Sequence, residues 1–390
     1  MGDTCRTSLF VTGTPRSGTT LVDKLLSQHA QVNVFSQPLP FLFVETKKSY
    51  LQNRYPEDEH RLTVPLSDLV GNRHAEHEGF EAFLADHRVS PGTMEAIVAR
   101  QRSYSGCYTL PPADWQPRRA ALTLHHTWLS YCADLQTSLT PGSTAEILGS
   151  KETFCEEYIP YFLSEDTRVV LVIRDPRDAI CSANTGRGEQ HAGKRRPLLF
   201  SIRQWRKSAE YALAFGDHPN FTVVRYEQLV ARPSMVMEKL FSFLAMPPLN
   251  EDVGTRELRD LDGKRWQSNS SHNPSSTIST DSIGRFRTEL TAAEIDLIQC
   301  TCFAEMKCLN YALDLESHEV ESRLRSVSLD EGNLAANRAH LRGYRFSQSA
   351  LLAELKRWRA LRNLESPELT QFVFEKNFAR LSAASGGSST

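Results

Sequence analysis

Residues 12–20, with the sequence Thr-Gly-Thr-Pro-Arg-Ser-Gly-Thr-Thr, decide the fold that this chain predicts. They follow a short apolar stretch, Ser8 to Val11, that is typical of a buried strand. They precede a helical pattern of apolar residues at Leu21, Val22, Leu25 and Leu26. A strand, a glycine-containing loop and a helix in this order can hold an anion, because the loop amides and the helix N-terminus point at the same place. The sequence therefore predicts an α/β fold with a phosphate-binding loop.

The loop differs from that of a nucleoside triphosphatase. Gly13 and Gly18 keep the G-x-x-x-x-G spacing of a Walker A loop, and Thr20 keeps its hydroxyl position. Thr19, however, stands where the lysine that contacts the β- and γ-phosphates would be. The cation of this loop is Arg16 instead. The loop therefore predicts an anion site of another kind.

A second motif follows a second apolar stretch. Residues 168–173, Arg-Val-Val-Leu-Val-Ile, are typical of a buried parallel strand. The stretch leads into Arg174-Asp175-Pro176-Arg177-Asp178, and Ser182 lies eight residues after Arg174. An arginine can offer two parallel donors to a phosphate dianion, and a hydroxyl adds a neutral donor.

The two motifs resemble those of sulfotransferases that use 3′-phosphoadenosine-5′-phosphosulfate (PAPS). Residues 14–20 resemble the loop that binds the 5′-phosphosulfate group. The resemblance assigns cofactor contacts here to Pro15, Arg16, Ser17, Gly18, Thr19 and Thr20. Arg174 and Ser182 resemble the pair that holds the 3′-phosphate. The resemblance covers roughly residues 8–35 and 145–310.

Two weaker segments resemble the same family. Residues 221–227, Phe-Thr-Val-Val-Arg-Tyr-Glu, resemble its late core strand and imply a cofactor contact at Tyr226. Residues 282–287 contain Arg285, where family members often have a basic residue that folds over the 3′-phosphate.

The resemblance implies a three-layer α/β fold with a central parallel sheet and a P-loop-like phosphosulfate loop. We expect a sulfotransferase domain over residues 1–320. Residues 40–145 should form a mostly helical insertion in it, because a segment of this length is too long for a loop.

Beyond this domain, charged amphipathic patterns predict a C-terminal helical extension over residues 321–382. Helices are expected at residues 348–361 and 367–381, the second of which starts with a proline. The extension would pack on the body or mediate homo-oligomers. The small polar residues 383–390 predict a disordered tail.

Composition agrees with an intracellular enzyme. The 390 residues are 40% hydrophobic and carry a net charge of −2, which favours neither nucleic acid nor a membrane surface as a partner. No stretch approaches the roughly 20 apolar residues of a membrane span. With a first strand predicted near Ser8, we expect no signal peptide. The eight cysteines are scattered without C-x-x-C spacing, so packed free thiols in a cytoplasmic protein are expected.

The resemblance implies in-line transfer of a sulfuryl group from PAPS to a hydroxyl or amine of a small-molecule or glycan acceptor. Charge grows on the departing phosphate oxygen, so cations should gather there. Arg16 and Lys151, which follows a predicted strand at residues 145–149, are the expected catalytic cations. No metal is required by this chemistry.

The general base stays open. Family members with a glutamate base carry it in the stretch that corresponds to residues 35–38, where this chain has Gln37, and an amide cannot remove a proton. Cytosolic members use a histidine shortly after the strand-end lysine, and none follows Lys151 here. The candidates are Glu45, Glu152 and the pair His125-His126. Transfer without a base to a phenolate or an amine is the alternative.

Two other functions are less well supported. A P-loop kinase-like phosphoryl transferase would need a loop lysine and an acidic residue at the strand end for magnesium, where this chain has Thr19 and Arg174. A non-catalytic protein that binds adenosine phosphates would fit the absence of an identified base, but not the retained cofactor residues.

Overall fold

The structure, a computed structural model, describes most of the chain in two compact units. The described residues are 7–54, 75–103, 109–185, 197–249, 253, 257–259, 265–266, 277–327 and 348–387. The first unit, here called the sheet unit, comprises Met1–Glu57, Glu78–Ile173 and His218–Thr280. The second, the helical unit, comprises Asp58–His77, Arg174–Asp217 and Asp281–Thr390.

The sheet unit is built on parallel strands. The strands are β1 (Thr7–Thr12), β2 (Val32–Ser36), β3 (Arg88–Val89), β4 (Leu122–Thr123), β5 (Ile147–Lys151), β6 (Arg168–Ile173) and β7 (Phe221–Arg225). Five of them form one parallel sheet in the order β2-β5-β1-β6-β7, and β3 and β4 form a separate antiparallel pair. The five strands run in one direction, so their C-terminal ends share one side of the sheet, the carboxyl edge. Their N-terminal ends share the amino edge.

Alternate residues of β1 are buried on opposite faces of the sheet. Leu9 and Val11 belong to a core that includes Val22 of the following helix. Phe10 faces the other way, where its ring stacks on Phe162 at a centroid distance of 4.1 Å and meets Trp128 edge-on at 5.9 Å. The sheet is thus covered by helices on both faces, and the predicted α/β fold with a central parallel sheet is confirmed.

Helices account for most of the remaining described residues. In chain order they are Thr19–Leu26, Pro40–Arg54, Ala75–Asp86, Pro91–Arg102, Leu124–Leu139, Ile159–Ser164, Pro176–Asn184, Leu198–Phe215, Tyr226–Ala231, Pro233–Phe243, Phe286–Glu289, Ala292–Thr301, Phe303–Cys308, Val320–Arg325, Gln348–Leu361 and Phe378–Ser385. The described part of residues 40–145 is mostly helical, and residues 55–74 and 104–108 of that segment lie outside the described residues. Among the described helices, none is long and apolar enough to cross a membrane.

The prediction of a second helix in the C-terminal extension is wrong for the first half of that segment. Residues 367–381 form 3₁₀ turns at Leu369–Gln371 and Glu375–Asn377 before the helix Phe378–Ser385 begins. The Phe374 N–H donates to a Glu210 carboxylate oxygen at 3.2 Å, and the Asn377 amide donates to the same oxygen at 2.7 Å. These contacts hold the segment out of the helix that its sequence favours. The last helix also continues past residue 383 to Ser385, and residues 388–390 lie outside the described residues.

The extension packs against other helices of the helical unit. Leu361, Val373 and Leu381 are buried in one cluster with Leu213 of the helix Leu198–Phe215. The Glu354 carboxylate accepts from the Arg206 guanidinium at 2.5 Å, and both side chains are buried. The described part of the extension thus packs on the helix Leu198–Phe215 of the same unit.

Candidate functional site

The predicted phosphosulfate loop is a tight turn between β1 and the helix Thr19–Leu26. The Ser17 N–H and hydroxyl both donate to the Thr14 carbonyl, at 3.2 and 2.7 Å. Between them Arg16 adopts a left-handed conformation with φ 71°, which costs energy for a residue with a Cβ atom. A left-handed residue within a turn directs neighbouring amides to one side, where they can hold an anion.

The two glycines of the loop are required by close contacts. A Cβ atom on Gly13 would collide with the Val172 carbonyl of β6, and one on Gly18 would collide with the Tyr226 ring. Gly18, with φ 98°, also precedes the helix without offering it a side-chain cap. The N–H groups of Leu21 and Val22 donate to the Gly18 carbonyl, so the amides of Thr19 and Thr20 are the ones that an anion could contact at this helix N-terminus. The structure thus brings Tyr226, predicted to bind the cofactor, against the loop.

Lys151 lies beside this loop. It is the last residue of β5 and pairs in register with Val11 of β1, directly before the loop begins. Its side chain is 1% exposed. The Nζ atom lies 3.2 Å from the side-chain amide oxygen (Oε1) of Gln37 and 3.8 Å from an Asp23 carboxylate oxygen. Burial of an ammonium group needs compensation of this kind. The structure therefore places the second predicted cation at the carboxyl edge, next to the loop.

Glu152, the next residue, is completely buried. One of its carboxylate oxygens accepts from the Leu39 N–H at 2.9 Å, and the other has no hydrogen-bond partner. Burial raises the pKa of Glu152 to about 8, although the Leu39 N–H and the Lys151 ammonium favour the ionised form. Burial therefore favours the protonated form of this candidate base and closes it off from solvent.

The candidate base His125 lies at the amino edge. Its Nε2 atom is 3.0 Å from the Thr167 hydroxyl, which is 2.9 Å from the Ser8 hydroxyl. Ser8 is the second residue of β1 and Thr167 directly precedes β6, whereas the loop follows the far end of β1. A strand rises about 3.3 Å per residue, so roughly 15 Å separates Ser8 from the loop. The structure does not bring His125 to the loop.

The candidate base Glu45 is engaged in ion pairs. Its carboxylate accepts from the Arg100 guanidinium at 2.6 Å and from the Lys48 ammonium at 3.1 Å. All three side chains are partly exposed. A carboxylate with two cationic partners is a typical surface pair, and nothing in this geometry directs Glu45 at the loop.

The second predicted motif lies in the helical unit. The Arg174 guanidinium donates to the Ser282 carbonyl at 2.5 Å, and the Arg174 carbonyl accepts from the Trp205 indole at 2.7 Å. Arg174 is 5% exposed, so both ends of this residue are held in place. Its contact with Ser282 ties it to the segment that carries Arg285, another predicted cofactor residue.

Asp178 supports the same segment. Its carboxylate accepts from the Gly284 N–H at 2.7 Å and from the Phe286 N–H at 3.1 Å, on either side of Arg285. Burial raises the pKa of Asp178, while Arg174 and these two amides oppose the shift. Ser182 follows Asp178 by four residues on the helix Pro176–Asn184 and so shares its face.

Arg177 has a structural role. Its guanidinium donates to Asp175 at 2.7 Å, to the Gln299 side chain at 3.1 Å and to the Ala312 carbonyl at 2.8 Å. It is 1% exposed. The two arginines of the motif therefore differ in role, because the guanidinium of Arg177 is occupied by contacts that hold neighbouring segments of the helical unit together.

Sequence reasoning did not identify Asp23 or Asp178. Asp23 follows Thr19 by four residues, so both lie on the same face of the helix Thr19–Leu26 that follows the loop. This spacing could have indicated that Asp23 lies near the loop. The spacing of Asp178 and Ser182 is the same. Among the described residues, no three His, Cys, Asp or Glu side chains form a group that could hold a metal ion.

Comparisons with known proteins identify one family. A model of the "Sulfotransferase family" matches residues 8–251. A solved "Sulfotransferase Domain from the Synechococcus PCC 7002 Olefin Synthase" is 16% identical, with a TM-score of 0.44, over 79% of this chain and 96% of that one. A "Sulfotransferase Domain from the Curacin Biosynthetic Pathway" is 14% identical, with a TM-score of 0.41, over 79% and 99%. No curated protein matches the sequence significantly.

Proposed function

Because the chain belongs to the sulfotransferase family, we propose that it transfers a sulfuryl group from PAPS to a hydroxyl or amine of a small-molecule or glycan acceptor. The observation that supports this most directly is the buried Lys151 ammonium beside the loop of residues 12–20. A cation and a set of loop amides at one place suit a phosphosulfate group.

The loop and Lys151 would bind the 5′-phosphosulfate end. In the transfer, the acceptor atom loses its proton and forms a new bond to sulfur, while the bond from sulfur to the bridging phosphate oxygen breaks. The electron pair stays with that oxygen, and 3′,5′-bisphosphoadenosine leaves. Arg16 and Lys151 would stabilise the charge that grows there, and loop amides already in position need no reorganisation. Tyr226, packed on Gly18, would contact the cofactor next to the loop.

Arg174, Ser182 and Arg285 would bind the 3′-phosphate. Support for this assignment comes from the motif and from the contacts within the helical unit. Arg174 is fixed at both ends, and Asp178 holds the backbone on either side of Arg285. Side chains that are fixed before a ligand binds lose less conformational freedom on binding it.

Two measurements test the proposal. Calorimetry should show that the protein binds PAPS and 3′,5′-bisphosphoadenosine and that added magnesium changes neither affinity. Incubation with PAPS labelled in the sulfuryl group should transfer the label to a member of an acceptor panel. Tight binding of ATP with magnesium in place of PAPS would favour the kinase-like alternative. Binding of PAPS without transfer to any acceptor would favour a non-catalytic protein.

A further inference from the structure

The backbone at Gln37 is strained at the carboxyl edge. Gln37 directly follows β2 and has a φ of 45°, a left-handed conformation that is costly for a residue of this type. Its neighbour Ser36 pairs in register with Lys151 of β5, the strand next to β1. Adjacent strands are about 4.8 Å apart, so Gln37 lies two strand positions from the loop at the same edge. Strain of this kind persists where the surroundings impose it, and it concentrates at ligand sites.

Buried groups impose this conformation. The Gln37 N–H donates to the Lys151 carbonyl at 2.8 Å. The peptide that follows is held on both sides, since Glu152 accepts from the Leu39 N–H at 2.9 Å and the Gln101 amide donates to the Pro38 carbonyl at 2.8 Å. Glu152 and Gln101 are both completely buried. The position of Gln37 is therefore set before any ligand arrives.

The Gln37 side chain is oriented by Lys151. Its carbonyl oxygen accepts from the Lys151 ammonium at 3.2 Å, which leaves the amide nitrogen as the outward donor. That nitrogen has no hydrogen-bond partner among the described residues, and the side chain is half-buried. The carboxylates closest to Lys151 in sequence or space, Asp23 and Glu152, are both completely buried. The group presented here is therefore a donor beside a cation.

We propose that Gln37 contacts the acceptor and selects one whose reacting oxygen the site can hold in the ionised form, namely a phenol-type hydroxyl. This inference rests on the proposed function. An amide N–H and a nearby ammonium both stabilise an oxygen anion, whereas the hydrogens of an amine would face the same donors. A phenol ionises near pH 10, as tyrosine does, so this environment can bring its ionisation close to neutral pH. The phenolate oxygen attacks sulfur directly, and no proton has to be removed in the step.

The test measures the ionisation of a bound phenol. The protein is saturated with 3′,5′-bisphosphoadenosine, and 4-nitrophenol is titrated with pH while its phenolate absorbance is followed. In the wild type, the pKa of the bound phenol should lie below that of the free phenol. Gln37→Glu keeps the size of the side chain but replaces the donor with a negative charge. It should raise the pKa of the bound phenol and weaken phenolate binding at least tenfold.

Two further variants complete the test. Gln28→Glu makes the same change at a half-buried glutamine whose amide donates to the Lys24 carbonyl at 3.0 Å near the amino edge, and it should leave the binding of phenolate unchanged. Gln37→Met removes the amide donor without adding a charge, and it replaces Gln37→Glu in the measurement if that variant does not fold. It should weaken phenolate binding about threefold or more.

The outcomes separate this inference from the proposed function. An unchanged 4-nitrophenol spectrum in the wild-type complex overturns the inference, as does equally tight phenolate binding by both Gln37 variants. In either case the proposed function stands if PAPS binds and labelled sulfuryl is transferred, for instance to an aliphatic alcohol. Failure of the wild type to bind 3′,5′-bisphosphoadenosine overturns both.

Discussion

The two edges of the parallel sheet use their polar groups differently. At the carboxyl edge, Arg16 and Gln37 have left-handed backbones, and the Lys151 ammonium is buried beside them. At the amino edge, the side chains of His125, Thr167 and Ser8 form a buried hydrogen-bonded chain of neutral groups. Strain and buried charge both cost stability, and at the carboxyl edge the two occur together beside the loop. Ligands of open α/β sheets bind outside the C-terminal ends of the strands, and the carboxyl edge has the features of such a site.

Two residues that the sequence offers as catalytic candidates lie at opposite edges of the sheet. His125, a candidate base, belongs to a hydrogen-bonded chain at the amino edge, whereas Lys151, an expected cation, lies beside the loop. Burial, together with the neighbouring His126, lowers the pKa of His125 to about 4, so its imidazole is neutral at physiological pH. The chemistry of a side chain is therefore a weaker guide to function than the edge at which it lies.

The largest effect is expected at the carboxyl edge. Arg16→Ala should lower kcat by roughly 10²–10³, the usual cost of losing one donor to the charge that develops in a transition state. Binding of PAPS should weaken less, because that charge is greatest during transfer. Arg16→Lys should retain more activity, since it keeps the cation. Rates from labelled PAPS and affinities from calorimetry check these values. A change confined to Kd, with kcat intact, would assign Arg16 to binding alone.

At the amino edge, the expected effect is on stability and not on rate. The pKa of His125 is lowered from 6.5 to about 4 in the folded protein, so the unfolded chain binds more protons between these values. Stability should therefore fall as the pH falls, by about 2 kcal/mol from pH 7.5 to pH 5. His125→Gln can still bond Thr167 but does not titrate, so its urea unfolding should lack this component. Its kcat should stay within about twofold of wild type. Equal pH dependence in the two proteins would show that His125 is not held neutral.

Arg174 and Arg177, three residues apart in the helical unit, show the same contrast between a residue expected to affect binding and one expected to affect stability. Arg174→Ala should raise the Kd for 3′,5′-bisphosphoadenosine about 30-fold, because it removes a charged partner worth roughly 2 kcal/mol. Ser182→Ala should raise it about fivefold, as expected for a neutral hydroxyl. Arg177→Ala should instead lower the free energy of unfolding, since it leaves Asp175 without its buried cation. Normal binding by a folded Arg174→Ala protein would exclude the assignment of the 3′-phosphate.

Contiguous features of the carboxyl edge could be predicted from the sequence. The loop, its two glycines and the helix after it are determined by local rules, because turn conformation and apolar spacing act within a few residues. The place of Lys151 after a strand also follows from the resemblance to the family, although the strand extends to Lys151 itself and not only over the predicted residues 145–149. The short strand β2, Val-Asn-Val-Phe-Ser, was not predicted, since five residues with two polar ones carry a weak signal.

Contacts over long separations could not be predicted. The bond between Lys151 and Gln37 joins residues 114 apart, and the clamp on residues 38–39 draws on Glu152 and Gln101. Nothing local in these residues indicates such partners. For the adjacent histidines, the sequence also does not indicate which edge of the sheet their helix approaches. The sequence therefore predicted the conformation of the loop better than the long-range contacts around Gln37.

The smallest effect is expected for Glu45→Gln. This variant tests whether the reactive site at the carboxyl edge includes the helix Pro40–Arg54, which carries Glu45. The substitution removes the ion pairs with Arg100 and Lys48, whose partial exposure limits their worth to about 0.5–1 kcal/mol. We expect kcat to stay within about twofold and the melting temperature to shift by a few degrees at most. The measurement should use both a phenol and an aliphatic alcohol as acceptors, because only the alcohol needs a base. A drop of tenfold or more with the alcohol alone would make Glu45 the base and would extend the reactive edge into the helix Pro40–Arg54. Such a result would also contradict the selection of ionised acceptors by Gln37, because an enzyme with a working base has no need of an acceptor that is already an anion.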